Sequence, residues 1–183
     1  MTTLQGNTVG FIGLDVMGKR MAQRIKDAGA MTYAYNEQPA MRYEIARSGI
    51  NLCASPSEIA SKTAGQMIIL MLRNDEDMDE IMQGQASLME QLAAGTLIID
   101  MGQTSIVDTN RYATLARSKG ARWLDAPVYG ADLPPNSGEI EIIAGGRDED
   151  YKRAFPIFQC LAQKISHAGD IGSGQAQILT LQN

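Results

Sequence analysis

An α/β fold, built on a doubly wound and mainly parallel Rossmann-type sheet with helices on both faces, is predicted by three features of the sequence. Short apolar runs alternate with longer stretches of helical periodicity along the whole chain. The run MIILML at 67–72 is unbroken and apolar, as expected of a strand covered on both faces. Strands separated by helix-length connections form right-handed βαβ units, which make the sheet mainly parallel.

The first unit begins with two strands and the helix between them. TVGFIG at 8–13 and MTYAY at 31–35 are the strands. Between them, apolar residues recur every four positions on one helical face, which predicts a helix over 17–27. Gly29 follows as its stop signal.

The next helices are indicated by their start signals. Pro39 begins a short helix, and the capping box Ser-Pro-Ser-Glu at 55–58 begins another, with proline at the first helical position. INLCA at 50–54 is a strand between these two helices. After the strand at 67–72, Asn74 caps an acidic helical segment.

The second half of the chain continues the alternation. Its predicted strands are 95–100, 121–128, 139–146 and 164–169, and its predicted helices are 109–119, 149–163 and a final helix from 174 to 183. Residues 130–138 are rich in Gly, Pro and Asn and form the one long loop. EIEIIAGG at 139–146 alternates with period two, which places this strand at the edge of the sheet.

Composition excludes several classes of protein and site. The net charge is −5, and the 16 basic residues are scattered, so no nucleic-acid surface is indicated. Two cysteines, Cys53 and Cys160, and the single His167 cannot form a zinc site or a disulfide framework. The N-terminus lacks a secretory signal, and no run approaches 18 apolar residues. A cytoplasmic protein with no membrane partner is expected.

The turn after the first strand resembles a phosphate-binding GxGxxG loop with one change. Gly13 and Gly18 occupy the first and third glycine positions, whereas Asp15 occupies the second. The Asp15 side chain takes space that a pyrophosphate needs and puts negative charge at a helix N-terminus. Alternatively, Asp15 is a helix N-cap that satisfies the amides a phosphate would otherwise satisfy.

An acidic residue follows the second strand. Asn36 and Glu37 lie 18 and 19 positions after Gly18, where a carboxylate suits the free ribose 2′-hydroxyl of NAD and a 2′-phosphate would require arginine. Glu37 therefore favours NAD over NADP. The alternative is a solvated glutamate at a strand end.

Several stretches together resemble the β-hydroxyacid dehydrogenase family, which includes 3-hydroxyisobutyrate dehydrogenase, tartronate semialdehyde reductase and the NAD-binding domain of 6-phosphogluconate dehydrogenase. GFIGLDVMGKRMA at 10–22 is similar to the family's GFIGLGxMGxxMA, and Met-Leu-Arg at 71–73 to its Met-Leu-Pro. DAPVYGA at 125–131 is similar to DAPVSGG, and GDIGSGQAQILTLQN at 169–183 to GxxGxGxxxKxxN. Asp100 begins a looser match to Asp-x-Ser-Thr.

The resemblance implies hydride transfer between NAD or NADP and a small hydroxy acid or a related carbonyl or imine substrate. The residues that it assigns to the cofactor are Gly13, Leu14, Asp15, Val16, Met17, Gly18, Asn36, Glu37, Leu72, Arg73 and Thr104. Those that it assigns to the substrate are Tyr129, Gly130 and Ala131.

The chain differs from the family at the positions that the resemblance assigns to proton transfer and substrate binding. Ile178 stands at the position of the family's proton-transferring lysine, and Tyr129 and Ala131 replace residues that hold a substrate carboxylate. Tyr129 is a candidate proton donor, because a phenol can move the proton that hydride transfer requires. A non-catalytic descendant acting as a binding or assembly protein is therefore the alternative to an oxidoreductase.

The resemblance also predicts the domain organisation. Residues 1–173 are expected to form the dinucleotide-binding domain, and 174–183 to begin an interdomain helix whose C-terminal helical domain is absent from this chain. That last helix is apolar and needs something to pack against, which predicts a homodimer through residues 174–183.

Overall fold

A computed structural model describes residues 3–72, 74–130 and 140–181 of the chain. These residues form nine strands: β1 (Thr8–Ile12), β2 (Met31–Tyr35), β3 (Asn51–Leu52), β4 (Met67–Leu70), β5 (Leu97–Asp100), β6 (Arg122–Asp125), β7 (Val128–Tyr129), β8 (Glu141–Gly145) and β9 (Lys164–Gly169). They also form eight helices: α1 (Val16–Asp27), α2 (Pro39–Arg47), α3 (Pro56–Lys62), α4 (Asp75–Gln83), α5 (Leu88–Gln91), α6 (Ile106–Ser118), α7 (Asp148–Leu161) and α8 (Ser173–Leu181).

All nine strands join one sheet in the order β3-β2-β1-β4-β5-β6-β8-β7, with β9 paired to β8. Every pair from β3 to β6 is parallel, β8 is antiparallel to β6 and β7, and β9 is parallel to β8. The strand order reverses around β1, because β2 lies on one side of it and β4 on the other. The predicted doubly wound, mainly parallel sheet is confirmed.

The core lies in two apolar layers, one on each face of the sheet. Phe11, Ile69 and Ile99 belong to one layer, together with side chains of α1 and α7. Ile12, Ile68 and Ile98 belong to the other, together with side chains of α3, α4 and α6. Successive strand residues thus point to opposite faces, and each face meets helices, which explains why the central strands are apolar without alternation.

The prediction that residues 139–146 form an edge strand is wrong. β8 pairs with β9 on one side and with β6 and β7 on the other, and Ile142, Ile143 and Ala144 are fully buried. The outer strand on this side is β9, which is exposed at both ends and half-buried between. β6 and β7 follow one another along β8 and both run antiparallel to it, a pairing that periodicity does not report.

One strand, one helix start and one short helix also differ from the sequence prediction. The strand predicted at 121–128 is two strands, β6 and β7, because the proline at 127 has no amide to continue the ladder. α6 begins at Ile106 rather than at residue 109, since the Ser105 hydroxyl accepts the Asp108 amide at 3.0 Å and caps it. The four-residue α5 was not predicted, because one turn is too short to show periodicity.

No helix within the described part of the chain combines the length and the apolar character needed to cross a bilayer.

Candidate functional site

A cleft of about 370 Å³ opens at the carboxyl ends of β1, β2 and β4. Residues 13–16 of the turn after β1 line it, together with Asn36, Glu37 and Leu72. Because β2 and β4 leave β1 in opposite directions, this is the point where an open α/β sheet binds its ligand. The structure therefore brings most of the predicted cofactor-binding residues together.

Two glycines of the turn are required by close backbone contacts. Gly13 has a φ of +92°, and a Cβ there would lie 2.1 Å from the Met71 carbonyl oxygen. A Cβ on Gly18 would lie 2.2 Å from the Gly13 carbonyl oxygen. Gly13 therefore shapes the turn, and Gly18 lets α1 start against it. Met17 and Gly18 do not line the cleft; Met17 packs on the core instead.

We expect Gly18→Ala to lower the free energy of unfolding by about 2 kcal/mol, because the added methyl overlaps backbone that cannot move independently. Urea denaturation measures the change. Gly6→Ala is the comparison, since a Cβ there contacts nothing within 4 Å and adds only strain at a φ of +83°. No loss of stability in Gly18→Ala would show that overlap at Gly18 contributes nothing.

Asp15 is the N-cap of α1. Its Oδ1 accepts hydrogen bonds from the amides of Met17 at 3.1 Å and Gly18 at 2.9 Å. The capping alternative is thus confirmed, and Asp15 lines the cleft as well. Two amides at the positive end of the helix are already satisfied by a carboxylate, which weakens the attraction for an anionic ligand.

The end of β2 forms the far wall of the cleft. The Asn36 side-chain oxygen accepts the Gln38 amide at 2.8 Å, which holds a tight turn, and Glu37 is exposed beside it. Among the described lining residues, Asp15, Glu37 and Asp77 carry carboxylates, and none is a lysine or arginine. The described wall is therefore acidic.

The remaining predicted cofactor residues lie on the β4 and β5 side. Leu72 lines the cleft, whereas Arg73 lies outside the described residues. Thr104 is 7% exposed and interacts with the Asp100 carboxyl, so its hydroxyl is directed into the protein.

The predicted substrate residues lie toward the edge of the sheet opposite β2. Tyr129 pairs with Glu141 in the β7–β8 ladder, is 37% exposed and does not line the cleft. Gly130 follows it with a φ of +84°. Ala131 lies outside the described residues.

Two buried carboxyls, which the sequence placed in motifs without a role, lie at the ends of adjacent strands. Asp100 of β5 and Asp125 of β6 are register partners, and both are fully buried. Each ends a strand that is otherwise mostly apolar, which is the signal that could have identified them. Asp100 Oδ1 accepts the Gly102 amide at 3.1 Å, and no described donor bonds its Oδ2.

Burial raises the pKa of Asp100 to about 7. The Thr104 hydroxyl and the Gly102 amide oppose this shift, and the charge of Asp125 adds to it. Burial also raises the pKa of Asp125, against backbone amides that stabilise its charge. These bonds come from the start of α8: Gly172 donates to Oδ1 at 2.7 Å and Gln175 to Oδ2 at 2.9 Å.

The side chain that the resemblance aligns with the family's lysine is buried. Ile178 lies on α8 and is 1% exposed. His167 Nε2 lies 2.7 Å from the Gly146 carbonyl oxygen, and its ring stacks on Tyr151 at 4.6 Å between centroids. These contacts hold His167 within β9.

The family described as the NAD binding domain of 6-phosphogluconate dehydrogenase matches residues 8–169. The 2-(hydroxymethyl)glutarate dehydrogenase of Eubacterium barkeri is 30% identical over 168 residues, which cover 92% of this chain and 55% of that protein.

Two solved structures extend the comparison. A 3-hydroxyisobutyrate dehydrogenase of Mycobacterium tuberculosis, solved with L-serine, superposes with a TM-score of 0.86 at 28% identity, covering 96% of this chain and 58% of that one. An imine reductase variant of Myxococcus stipitatus, in complex with NAD+, has a TM-score of 0.85 at 18% identity, covering 97% and 60%, and shares the fold. The chain spans little more than half the length of these relatives.

Proposed function

The chain belongs to the family of the 6-phosphogluconate dehydrogenase NAD-binding domain, as the motifs predicted, and from this premise we propose that it binds a nicotinamide dinucleotide. The observation that carries the proposal is the turn from Gly13 to Gly18, which opens a cleft where the strand order reverses. At both glycines of this turn the backbone of a neighbouring segment lies so close that a Cβ would overlap it.

We assign each half of the dinucleotide to one side of β1. The pyrophosphate lies at the turn of residues 13–18, and Asn36 and Glu37 meet the adenosine ribose. Leu72 lies beside the cofactor, and Thr104 lies near the nicotinamide ribose. Arg73 stays a cofactor residue predicted from the sequence. The exposed Glu37 carboxylate favours NAD, because it would repel the 2′-phosphate of NADP.

The proposed reaction is that of a β-hydroxyacid-dehydrogenase-like oxidoreductase acting on a small hydroxy acid or a related carbonyl or imine. The nicotinamide supplies or accepts the hydride. A residue of the protein must move the accompanying proton, which the apolar Ile178 cannot do. Tyr129 is the candidate, since its side chain is partly exposed at the end of β7, next to Gly130 and Ala131 of the proposed substrate segment.

A non-catalytic binding or assembly protein is the second candidate. The observation that favours it is the burial of Ile178, which leaves an apolar side chain where the family has an ionisable one. Asp15, which caps α1 and makes the cleft more acidic, points in the same direction.

Fluorescence titration with NADH and NADPH separates the two candidates. We expect saturable binding of NADH, with weaker binding of NADPH because of Glu37. Absence of binding at millimolar concentrations of both would contradict the oxidoreductase and favour the binding protein.

Removing the Asp15 charge is expected to tighten NADH binding. Asp15→Asn keeps an N-capping side chain and removes the charge, so we expect an affinity about tenfold higher, or about 1.4 kcal/mol. Asp15→Gly removes the Cβ as well and should be at least as tight. Asp27→Asn, at the other end of α1, controls for net charge. Unchanged or weaker binding in both Asp15 variants would refute the claim that this carboxylate opposes phosphate.

We also propose a homodimer through the last helix. Leu179 and Leu181 of α8 are 52% and 45% exposed, although the same helix buries Ile178. A strict monomer in gel filtration would contradict the dimer.

A further inference from the structure

The start of α8 is attached to the sheet by backbone contacts. The Asp125 carboxylate accepts two amides from residues 172–175. A Cβ on Gly174 would lie 2.4 Å from the Ile143 carbonyl oxygen, so the helix rests directly on β8. Because α8 packs mainly on β6, β8 and β9, its position is set on the side of the sheet away from β2.

One side chain extends from this helix toward the cleft. Gln175 is 2% exposed, and its Nε2 donates to the Gly102 carbonyl oxygen at 2.9 Å. Gly102 lies in the segment 101–105, which connects β5 to α6 and contains Thr104.

Gly102 in turn lies against the cleft wall. A Cβ there would be 2.5 Å from the carbonyl oxygen of Leu72, a residue that lines the cleft. The Gly102 amide donates to Asp100 Oδ1, so the peptide groups on both sides of Gly102 are held by hydrogen bonds. A continuous set of buried contacts therefore joins α8, the segment 101–105 and Leu72.

From these contacts we propose that Gln175 is a positioning residue that holds segment 101–105 against the nicotinamide half of the bound dinucleotide. The inference rests on the proposed function. The adenosine half, in contrast, lies on the β2 side of the switch point. β2 and β5 are separated by β1 and β4, so the two halves of the site are roughly 14 Å apart, or three inter-strand spacings.

The test compares NADH with ADP, which carries the adenosine and both phosphates but lacks the nicotinamide. Gln175→Met keeps the length of the side chain and removes the donor. We expect NADH binding about tenfold weaker, because the Gly102 carbonyl loses its partner, and ADP binding unchanged. Gln177→Met makes the same change at an exposed position of α8 and should alter neither affinity. Gln175→Asn, one methylene shorter, should also weaken NADH binding and leave ADP binding unchanged.

The outcomes separate this inference from the proposed function. Equal weakening of NADH and ADP would show a merely structural role, and unchanged NADH binding would show no role; either overturns the inference alone. A wild-type chain that binds neither ligand would overturn the proposed function and the inference with it.

Amide hydrogen exchange of the wild-type chain tests the same proposal without a variant. NADH, unlike ADP, should slow exchange at residues 101–105. Equal protection by both ligands, or none by NADH, would overturn the inference.

Discussion

Asp100→Asn is expected to abolish a loss of stability that the wild type suffers as the pH rises. Between about pH 4 and pH 7, titration of Asp100 should lower the unfolding free energy of the wild type by about 4 kcal/mol. In the folded protein the pKa of Asp100 is raised to about 7, whereas an unfolded aspartate titrates near 3.9. Between these values the folded state holds a proton that the unfolded state has lost. Stability from this group is therefore complete below about pH 4 and is lost as the pH rises toward 7.

Urea denaturation of both proteins at several pH values measures this effect. Other carboxyls contribute their own pH dependence, so the informative quantity is the difference between variant and wild type, which should move in favour of the variant as the pH rises. Asp170→Asn removes a carboxyl at an exposed position and is the control. An Asp100→Asn curve parallel to that of the wild type would show that Asp100 does not hold the proton.

Asp125→Ala is expected to lower the free energy of unfolding by about 4 kcal/mol, because two buried amides lose their acceptor and each costs about 1–3 kcal/mol when unsatisfied. The amides are those of Gly172 and Gln175, which join α8 to β6. Trp123, the single tryptophan, is buried two residues before Asp125 and reports unfolding by its fluorescence.

Asp170→Ala is the control for this variant. It lies just before α8, but it is exposed, so its substitution should change stability by less than about 0.5 kcal/mol. A loss below about 1 kcal/mol in Asp125→Ala would mean that water or rearranged backbone satisfies the two amides.

Most of the fold could be predicted because its signals are local. The apolar runs at 67–72 and 95–100, the glycine stops and the caps at Ser55 and Asn74 depend only on neighbouring residues, and each corresponds to an element of the structure. The place of β8 in the sheet could not be predicted in the same way. It depends on which strands the chain brings alongside it, and period two alone does not report that pairing.

In the candidate site, too, only the residues with local sequence signals could be predicted. Gly13, Asp15 and Glu37 could be assigned to one cleft because they follow β1 and β2 directly in sequence. Asp125 and Gln175 are 50 positions apart, and the bond between them exists only after α8 has packed on β6. Arg73 and Ala131, which lie outside the described residues, stay predictions as cofactor and substrate residues.

The sequence by itself determined the parallel sheet, the glycine turn and the aspartate that caps its helix, because periodicity and hydrogen bonds over a few residues specify them. Only the tertiary structure decided that Asp100 and Asp125 become buried neighbours, and that Gln175 reaches the segment beside the cleft. The physical reason is that burial and contacts between distant residues set the pKa of a carboxyl and the partner of a buried amide, and both arise when β5, β6 and α8 pack together.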